Sequence, residues 1–155
     1  KTIFFLKTLV FVTMIPIMTN VMLIHKVSAQ VATKDAGTAA VQHKIVFQLT
    51  SDDTLSHKAL MKQLNNIVTV APDAKVEVVC HGPGLNVLIK GKTIVQGKIG
   101  ELNKKGITFV ACEFSMKERN VPKENIIPEA GFVKYGILEI VTKQEEGWSY
   151  IKSGF

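Results

Sequence analysis

The sequence predicts a single α/β domain, a three-layer sandwich in which a mostly parallel sheet lies between layers of helices. Apolar runs of strand length, rich in β-branched residues, occur at 43–49, 75–80 and 107–111. Segments with apolar residues at helical spacing separate these runs, and such alternation is typical of a parallel sheet covered on both faces. A chain of 155 residues is long enough for one such domain and short for two.

The first 29 residues have the layout of a secretory signal peptide. Lys1 and Lys7 supply a basic start, residues 8–24 form an uncharged and mostly apolar run, and residues 27–29 end in small side chains. A retained membrane anchor is the alternative, because 17 residues is the short end of what spans a bilayer. Either reading predicts export: a periplasmic protein, or a membrane-anchored one whose domain faces the periplasm.

The rest of the chain divides into a linker and a domain. Residues 30–42 are small and polar without a usable period, which predicts a flexible linker, and residues 43–155 form the α/β domain. Removing residues 1–29 removes three lysines and no acidic residue, so the net charge falls from +6 to +3. The remaining lysines are scattered, and no basic stripe interleaved with aromatic residues predicts nucleic-acid binding.

The first unit of the domain is a strand followed by a helix. Residues 43–49 form the strand, and residues 50–54 offer several side chains that can cap the start of a helix. Helical spacing then joins the apolar residues Leu55, Leu60, Leu64, Ile67 and Val68. The segment 71–73, which contains a proline, ends the helix.

The second strand, residues 75–80, leads directly into the loop His81-Gly82-Pro83-Gly84. Two glycines around a proline make a tight turn whose backbone can approach a ligand or a neighbouring segment. The loop lacks both the G-x-G-x-x-G pattern and the Walker lysine, so nucleotide binding has little support. His81 is either a proton shuttle or orienting group for a nearby thiol, or a loop histidine bonded to backbone.

Weaker patterns cover the remainder of the domain. Residues 85–89 fit a helical turn or a short strand, and 95–102 fit a weak amphipathic helix that Gly106 closes. Further predictions are a helix over 114–120, a helix over 137–144 stopped by Gly147, and a strand over 148–151 in which Trp148 and Tyr150 share a face.

Cys112 is the main candidate for chemistry. It follows the buried strand 107–111, at the point where that strand gives way to a loop or a new helix. Ligands of open parallel sheets collect at the carboxyl ends of the strands, and a helix N-terminus favours the thiolate, which is the nucleophile. The alternative is a cysteine that only packs, since free cysteine is among the most buried residue types.

Three stretches together resemble a known family. They are VEVVCHGPGL (76–85), GITFVACEFSM (106–116) and KQEEGWSYI (143–151). In this order they are similar to the DsrE/DsrF-like family, which includes sulfur-relay proteins of the TusD type. The resemblance implies a compact flavodoxin-like (DsrE-like) domain that assembles as a homo-oligomer, a trimer or a hexamer.

The resemblance also implies a site. Sulfur would be held as a persulfide on Cys112, with Glu113, Phe114 and Ser115 along the approach. His81 and the loop Gly82-Pro83-Gly84 would form the facing wall. Partners would be a sulfur donor or acceptor protein, and neither a cofactor nor a metal is implied. Two residues depart from the family pattern: Cys80 replaces a small apolar residue and adds a possible second thiol, and Phe114 replaces a polar one.

Three hypotheses follow for the function. A persulfide carrier predicts a partly exposed Cys112 beside backbone donors and a cleft. A non-catalytic oligomeric or accessory subunit of a membrane-associated or periplasmic complex would use the fold as a scaffold. A metal site would use Cys80, His81 and Cys112, although no metal-ligand spacing supports it. A redox disulfide between the two cysteines requires Cα atoms within about 7 Å.

Overall fold

The computed structural model describes residues 42–153. The strands in this part are β1 (Lys44–Leu49), β2 (Lys75–Cys80), β3 (Ile107–Cys112), β4 (Gly131–Val133) and β5 (Ser149–Ser153). The α-helices are α1 (Thr54–Val70), α2 (Gln96–Lys104), α3 (Glu113–Glu118) and α4 (Gly136–Glu145). Short 3₁₀ helices cover Gly82–Leu88 and Lys123–Asn125.

The sheet has the strand order β4-β3-β2-β1-β5, and every neighbouring pair is parallel. The chain steps outward from β1 to β4 and then returns across the sheet to β5. Right-handed crossovers place the connecting helices on one face during the outward steps and on the other face during the return. The predicted α/β sandwich with a parallel sheet is therefore confirmed, and the carboxyl ends of β2 and β3 meet at one edge.

Two apolar cores hold these layers together. The larger core includes Phe47, Leu60, Ile99 and Phe109, so it lies between the sheet and the pair α1 and α2. The smaller core joins Val46, Val79 and Val110 to Ile140 of α4, with Trp148 packed against it. Each fully buried side chain of this size contributes about 1.5–3 kcal/mol relative to an exposed one.

The N-cap of α1 is Asp53, which lies within the capping segment 50–54 predicted from the sequence. The Asp53 carboxylate accepts hydrogen bonds from the backbone N–H groups of Ser56 (2.9 Å) and Leu55 (3.2 Å). These bonds, those of Ser56 first, hold the pKa of Asp53 below its usual value. The helix ends at Val70, directly before the predicted stop at 71–73.

Several predicted elements differ from the structure in extent or type. The segment 85–89, open between helix and strand, is part of the 3₁₀ helix Gly82–Leu88 up to Leu88, and Ile89 caps the end of that helix. The helix predicted over 114–120 covers Glu113–Glu118, because Cys112 caps it directly and Asn120 has a φ of 51° that no helix continues through. The last strand begins at Ser149 rather than Trp148.

A partly buried charge cluster lies beneath α4, on the same face as the smaller core. Glu77 of β2 accepts a hydrogen bond from Lys143 Nζ at 3.1 Å, and the same ammonium lies 4.6 Å from the Trp148 ring centre. Burial raises the pKa of Glu77, although the lysine opposes that shift. The second carboxylate oxygen, Oε1, has no hydrogen-bond partner within the part of the chain that the structure describes.

The predictions for the N-terminal region lie outside the described residues. These are the signal peptide or anchor at 1–29 and all of the linker at 30–42 except its last residue. Among residues 42–153, no helix combines the length and the apolar character that crossing a membrane requires.

Candidate functional site

Cys112 is the last residue of β3 and the N-cap of α3. Its sulfur accepts hydrogen bonds from two backbone N–H groups, that of Ser115 at 3.4 Å and that of Gly136 at 3.1 Å. Ser115 lies in the first turn of α3, whereas Gly136 is the first residue of α4. The N-termini of two different helices therefore meet at one sulfur atom, an arrangement that stabilises negative charge there.

The sheet explains why Gly136 reaches Cys112. Val133 of β4 pairs with Cys112 of β3, so the chain that leaves β4 passes over the end of β3. The Phe114 N–H donates to the Lys134 carbonyl at 3.1 Å and holds this crossing in place. A Cβ added to Gly136 would lie 3.1 Å from the His81 Cβ and 3.3 Å from the Cys112 Cβ, so the close approach depends on glycine.

The loop after β2 forms the wall opposite α3. Gly82, with a φ of 53°, turns its N–H toward Ser115, whose hydroxyl oxygen accepts the bond at 2.9 Å. Gly84 packs so closely on the end of β1 that an added Cβ would lie 2.3 Å from the Leu49 carbonyl oxygen. Gly82 therefore connects the loop to α3 through a hydrogen bond, and Gly84 packs the loop against the end of β1.

A chain of side-chain hydrogen bonds reaches His81 from the far edge of the sheet. The Tyr150 hydroxyl donates to Gln48 Oε1, and Gln48 Nε2 lies 2.8 Å from His81 Nε2. An amide NH₂ can only donate, so His81 Nε2 accepts and Nδ1 carries the proton. Burial lowers the pKa of His81, which favours this neutral form.

A cavity of about 310 Å³ opens onto Cys112. It is lined by His81, Gly82, Cys112, Phe114, Ser115, Glu118, Tyr135, Gly136, Ile137 and Leu138. Cys112 itself is only 3% exposed, so the partly exposed cysteine that the carrier hypothesis predicted is instead a buried one. The start of α3 and the first residue of α4 cover it, and the cavity provides its route to solvent.

Some of the candidate residues come together here and others do not. Cys112, His81, Gly82, Phe114 and Ser115 line the cavity. Pro83 is exposed outside it, and Gly84 is buried against β1. Glu113 turns away to form an ion pair with Lys123.

Cys80 lies at the same edge of the sheet as Cys112 but on the opposite face. Its partner in the β2–β3 register is Ala111, and both belong to the larger core, whereas Cys112 is the next residue along β3 and points the other way. Cys80 is a fully buried free thiol, and burial raises its pKa far above the ordinary value. This geometry favours neither a Cys80–Cys112 disulfide nor a metal ion shared by the two cysteines.

Several residues at the site were not anticipated from the sequence. Gly136 donates to the sulfur, Gln48 contacts His81, and Tyr135, Ile137 and Leu138 form the outer wall of the cavity. The helix was predicted to begin at Ile137, and the first N–H groups of a helix have no partner within it. The sequence therefore indicated that an N–H donor near residue 136 could bind another group. Its partner could not be named without knowing that β4 lies beside β3.

Other parts of the described chain offer less chemistry. A groove of about 340 Å³ lies between α1 and α2, and its lining contains lysines, Asn65, Glu101 and apolar side chains but no cysteine or histidine. Within residues 42–153, no group of three or more His, Cys, Asp or Glu side chains is arranged to hold a metal ion. The cavity at Cys112 is therefore the candidate site.

Comparison with known proteins gives the family and the fold of the chain. The model of the DsrE/DsrF-like family matches residues 38–153. A solved structure of a protein of unknown function, MTH1491 from Methanobacterium thermoautotrophicum, is 27% identical with a TM-score of 0.69, over 72% of this chain and 99% of that one. The ychN protein from E. coli shares the fold, with a TM-score of 0.60 at 8% identity, over 72% and 98% of the two chains. No curated protein matches the chain.

Proposed function

The chain belongs to the DsrE/DsrF-like family, and from that premise we propose that it binds or relays sulfur as a persulfide on Cys112. The observation that carries the proposal is the pair of backbone N–H groups, from Ser115 and Gly136, that donate to the Cys112 sulfur at the end of a cavity. Family membership associates the fold with sulfur relay in general, and these contacts support Cys112 as the atom that would carry the sulfur.

The reaction requires only thiol exchange. The Cys112 thiolate attacks the outer sulfur of a donor persulfide, a new bond forms between that sulfur and Sγ, and the donor's sulfur–sulfur bond breaks. The donor thiolate leaves with the electron pair and takes up a proton, so no external oxidant or reductant is consumed. The two backbone donors favour the attacking thiolate and, after transfer, remain beside the persulfide.

His81 has a positioning role in this proposal. Its ring is oriented by Gln48 and lies against the first residue of α4, which itself donates to the sulfur. A neutral imidazole in this position supplies no positive charge to stabilise a Cys112 thiolate, so that stabilisation comes from the backbone donors.

We also propose, from the layout of residues 1–29, that the domain acts outside the cytoplasm, as a periplasmic or membrane-anchored protein.

Intact mass after incubation with a persulfide donor tests the carrier proposal. Wild type is expected to gain roughly one sulfur atom per chain, reversibly with reductant, because Cys112 is the thiol with access to the cavity. Cys112→Ser should gain none, and Cys80→Ala, which keeps a small apolar side chain in the core, should load like wild type. Loading that survives in Cys112→Ser and disappears in Cys80→Ala would overturn the proposal.

A second candidate function is an oligomeric or accessory subunit, and the exposed apolar side chains near the start of α4 favour it. Ile137 is 63% exposed, Leu138 59%, Tyr135 51% and Val141 42%. Apolar side chains grouped in this way are typical of an interface. An interface there would cover Tyr135, Ile137 and Leu138, which line the Cys112 cavity, so this candidate is an alternative to the carrier. It predicts that light scattering gives the mass of a trimer or hexamer, and that Val141→Lys lowers that mass. A monomer at all concentrations would contradict this assembly.

A further inference from the structure

The wall of the Cys112 cavity is apolar and exposed at its outer end. The rings of Phe114 and Tyr135 pack together with their centres 5.6 Å apart, and Ile137 and Leu138 lie beside them with more than half of each side chain exposed. These four residues form what we call the apolar rim. Any donor that reaches Cys112 must pass side chains that offer it dispersion contacts and little hydrogen bonding.

The cavity also lacks positive charge. Glu118 is the one charged residue in its lining, and no lysine or arginine of the described chain lines it. Two nearby cations have other partners: Lys123 pairs with Glu113, and Arg119 Nη2 donates to Asn86 Oδ1 at 3.0 Å. Lys117 and Lys134 lie close in the sequence but outside the cavity lining. The groove between α1 and α2, in contrast, is lined by Lys58, Lys62 and Lys98. The absence of lysine from the lining is therefore a feature of the Cys112 cavity and not of every concave surface of this domain.

We propose that this cavity selects sulfur donors whose sulfur-bearing group is uncharged and apolar and disfavours those in which it is anionic, with the apolar rim and Glu118 as the determinants of specificity. An anionic group held at the rim loses hydration without gaining a cationic partner and meets the like charge of Glu118. An uncharged donor gains contact with the rim at no such cost. The inference rests on the proposed function for the reaction, but the charge selection itself is a property of the cavity.

Two pairs of reagents test the selection. The first pair consists of sulfur donors that share the ionisable hydropersulfide group, benzyl hydropersulfide and glutathione hydropersulfide. They are called uncharged and anionic by the rest of the molecule, which is an apolar ring in the first and a peptide with a net negative charge in the second. The second pair consists of thiol probes, an uncharged dipyridyl disulfide and the doubly anionic dithionitrobenzoate. All rates are measured on the Cys80→Ala protein, so that Cys112 is the reacting thiol, and each is divided by the rate with the same protein unfolded.

In the folded protein we expect each uncharged reagent to be favoured at least about tenfold, the lower end of what a charged cleft does to association rates. Leu138→Lys adds a cation to the rim and should bring the ratio close to one. Leu55→Lys is the matched control, because Leu55 is also an exposed leucine (69%) but lies on α1, outside the cavity. Glu118→Gln should raise the anionic rates without adding a cation.

The outcomes separate the inference from the proposed function. Probe selectivity without any sulfur gain would overturn the carrier proposal and leave the charge selection standing. Sulfur gain at equal normalised rates from both donors, together with equal probe rates, would overturn the charge selection and leave the carrier standing. A Leu138→Lys protein that keeps the wild-type ratio would also overturn it, because the rim would then not control the charge of the reagent.

Discussion

Gly84→Ala is expected to lower the free energy of unfolding by about 3 kcal/mol or more, the upper range for overpacking a rigid site. The added Cβ would lie 2.3 Å from the Leu49 carbonyl oxygen and 2.9 Å from the Thr50 Cα. Both atoms are backbone at the end of β1, so no side chain can rotate away. Either β1 or the whole loop after β2 must shift, and the loop carries His81.

Gly97→Ala is the matched control for that substitution. Gly97 lies in α2, has no neighbour within 4 Å of an added Cβ, and needs no positive φ. Alanine there should stabilise the protein by about 0.5–1 kcal/mol, because glycine is the weaker helix former. Chemical denaturation of both variants measures the difference. A Gly84→Ala protein as stable as wild type would contradict the packing of the loop on β1.

Gly136→Ala is expected to slow sulfur loading of Cys112 by about tenfold, which corresponds to losing about 1.4 kcal/mol from a hydrogen bond to a charged group. The added Cβ would contact the Cβ atoms of His81 and Cys112 at 3.1 Å and 3.3 Å and Val79 Cγ1 at 3.2 Å. The first turn of α4 must then move by a few tenths of an ångström. Because the Gly136 N–H donates to the sulfur at 3.1 Å, that movement weakens the bond.

The effect on loading should exceed the effect on stability. We expect Gly136→Ala to cost about 1 kcal/mol of unfolding free energy, since the neighbours need to yield only slightly. Gly100→Ala, where the nearest atoms are ordinary contacts at 3.8 Å from Glu129, controls for substitution of a helical glycine. Loading rates equal to wild type in Gly136→Ala would mean that the α4 donor does not support the reaction.

The fold was predictable because local patterns agree with the global arrangement. Strand-length apolar runs alternate with helical spacing, Asp53 provides a helix cap, and Gly106, with a φ of 91°, follows α2 as expected. The strand β4 carried much less signal, because three residues, Gly131–Val133, are too short to show a period. Its place beside β3 is what brings Gly136 to Cys112.

The sequence did not predict that Cys80 and Cys112 lie on opposite faces of the sheet. Residues 76–80 of β2 are all buried, as expected for a central strand covered on both faces. The alternation of Lys75 and Glu77 with apolar residues puts Cys80 on the face of Val76 and Val78, but it does not tell which face Cys112 of β3 occupies. The register with β3 decides it, and register depends on tertiary pairing. For the same reason, nothing near Glu77 in the sequence indicated a partner as distant as Lys143.

The most direct test of the account is to locate sulfane sulfur within wild-type protein, peptide by peptide, after brief exposure to limiting donor. Cys80 serves as the internal control, since it is fully buried on the opposite face of the sheet. We predict sulfur on the peptide that contains Cys112 and none on the peptide that contains Cys80 until the protein is unfolded. Sulfur on Cys80 in the folded protein, or on neither cysteine, would contradict a persulfide carrier built on Cys112.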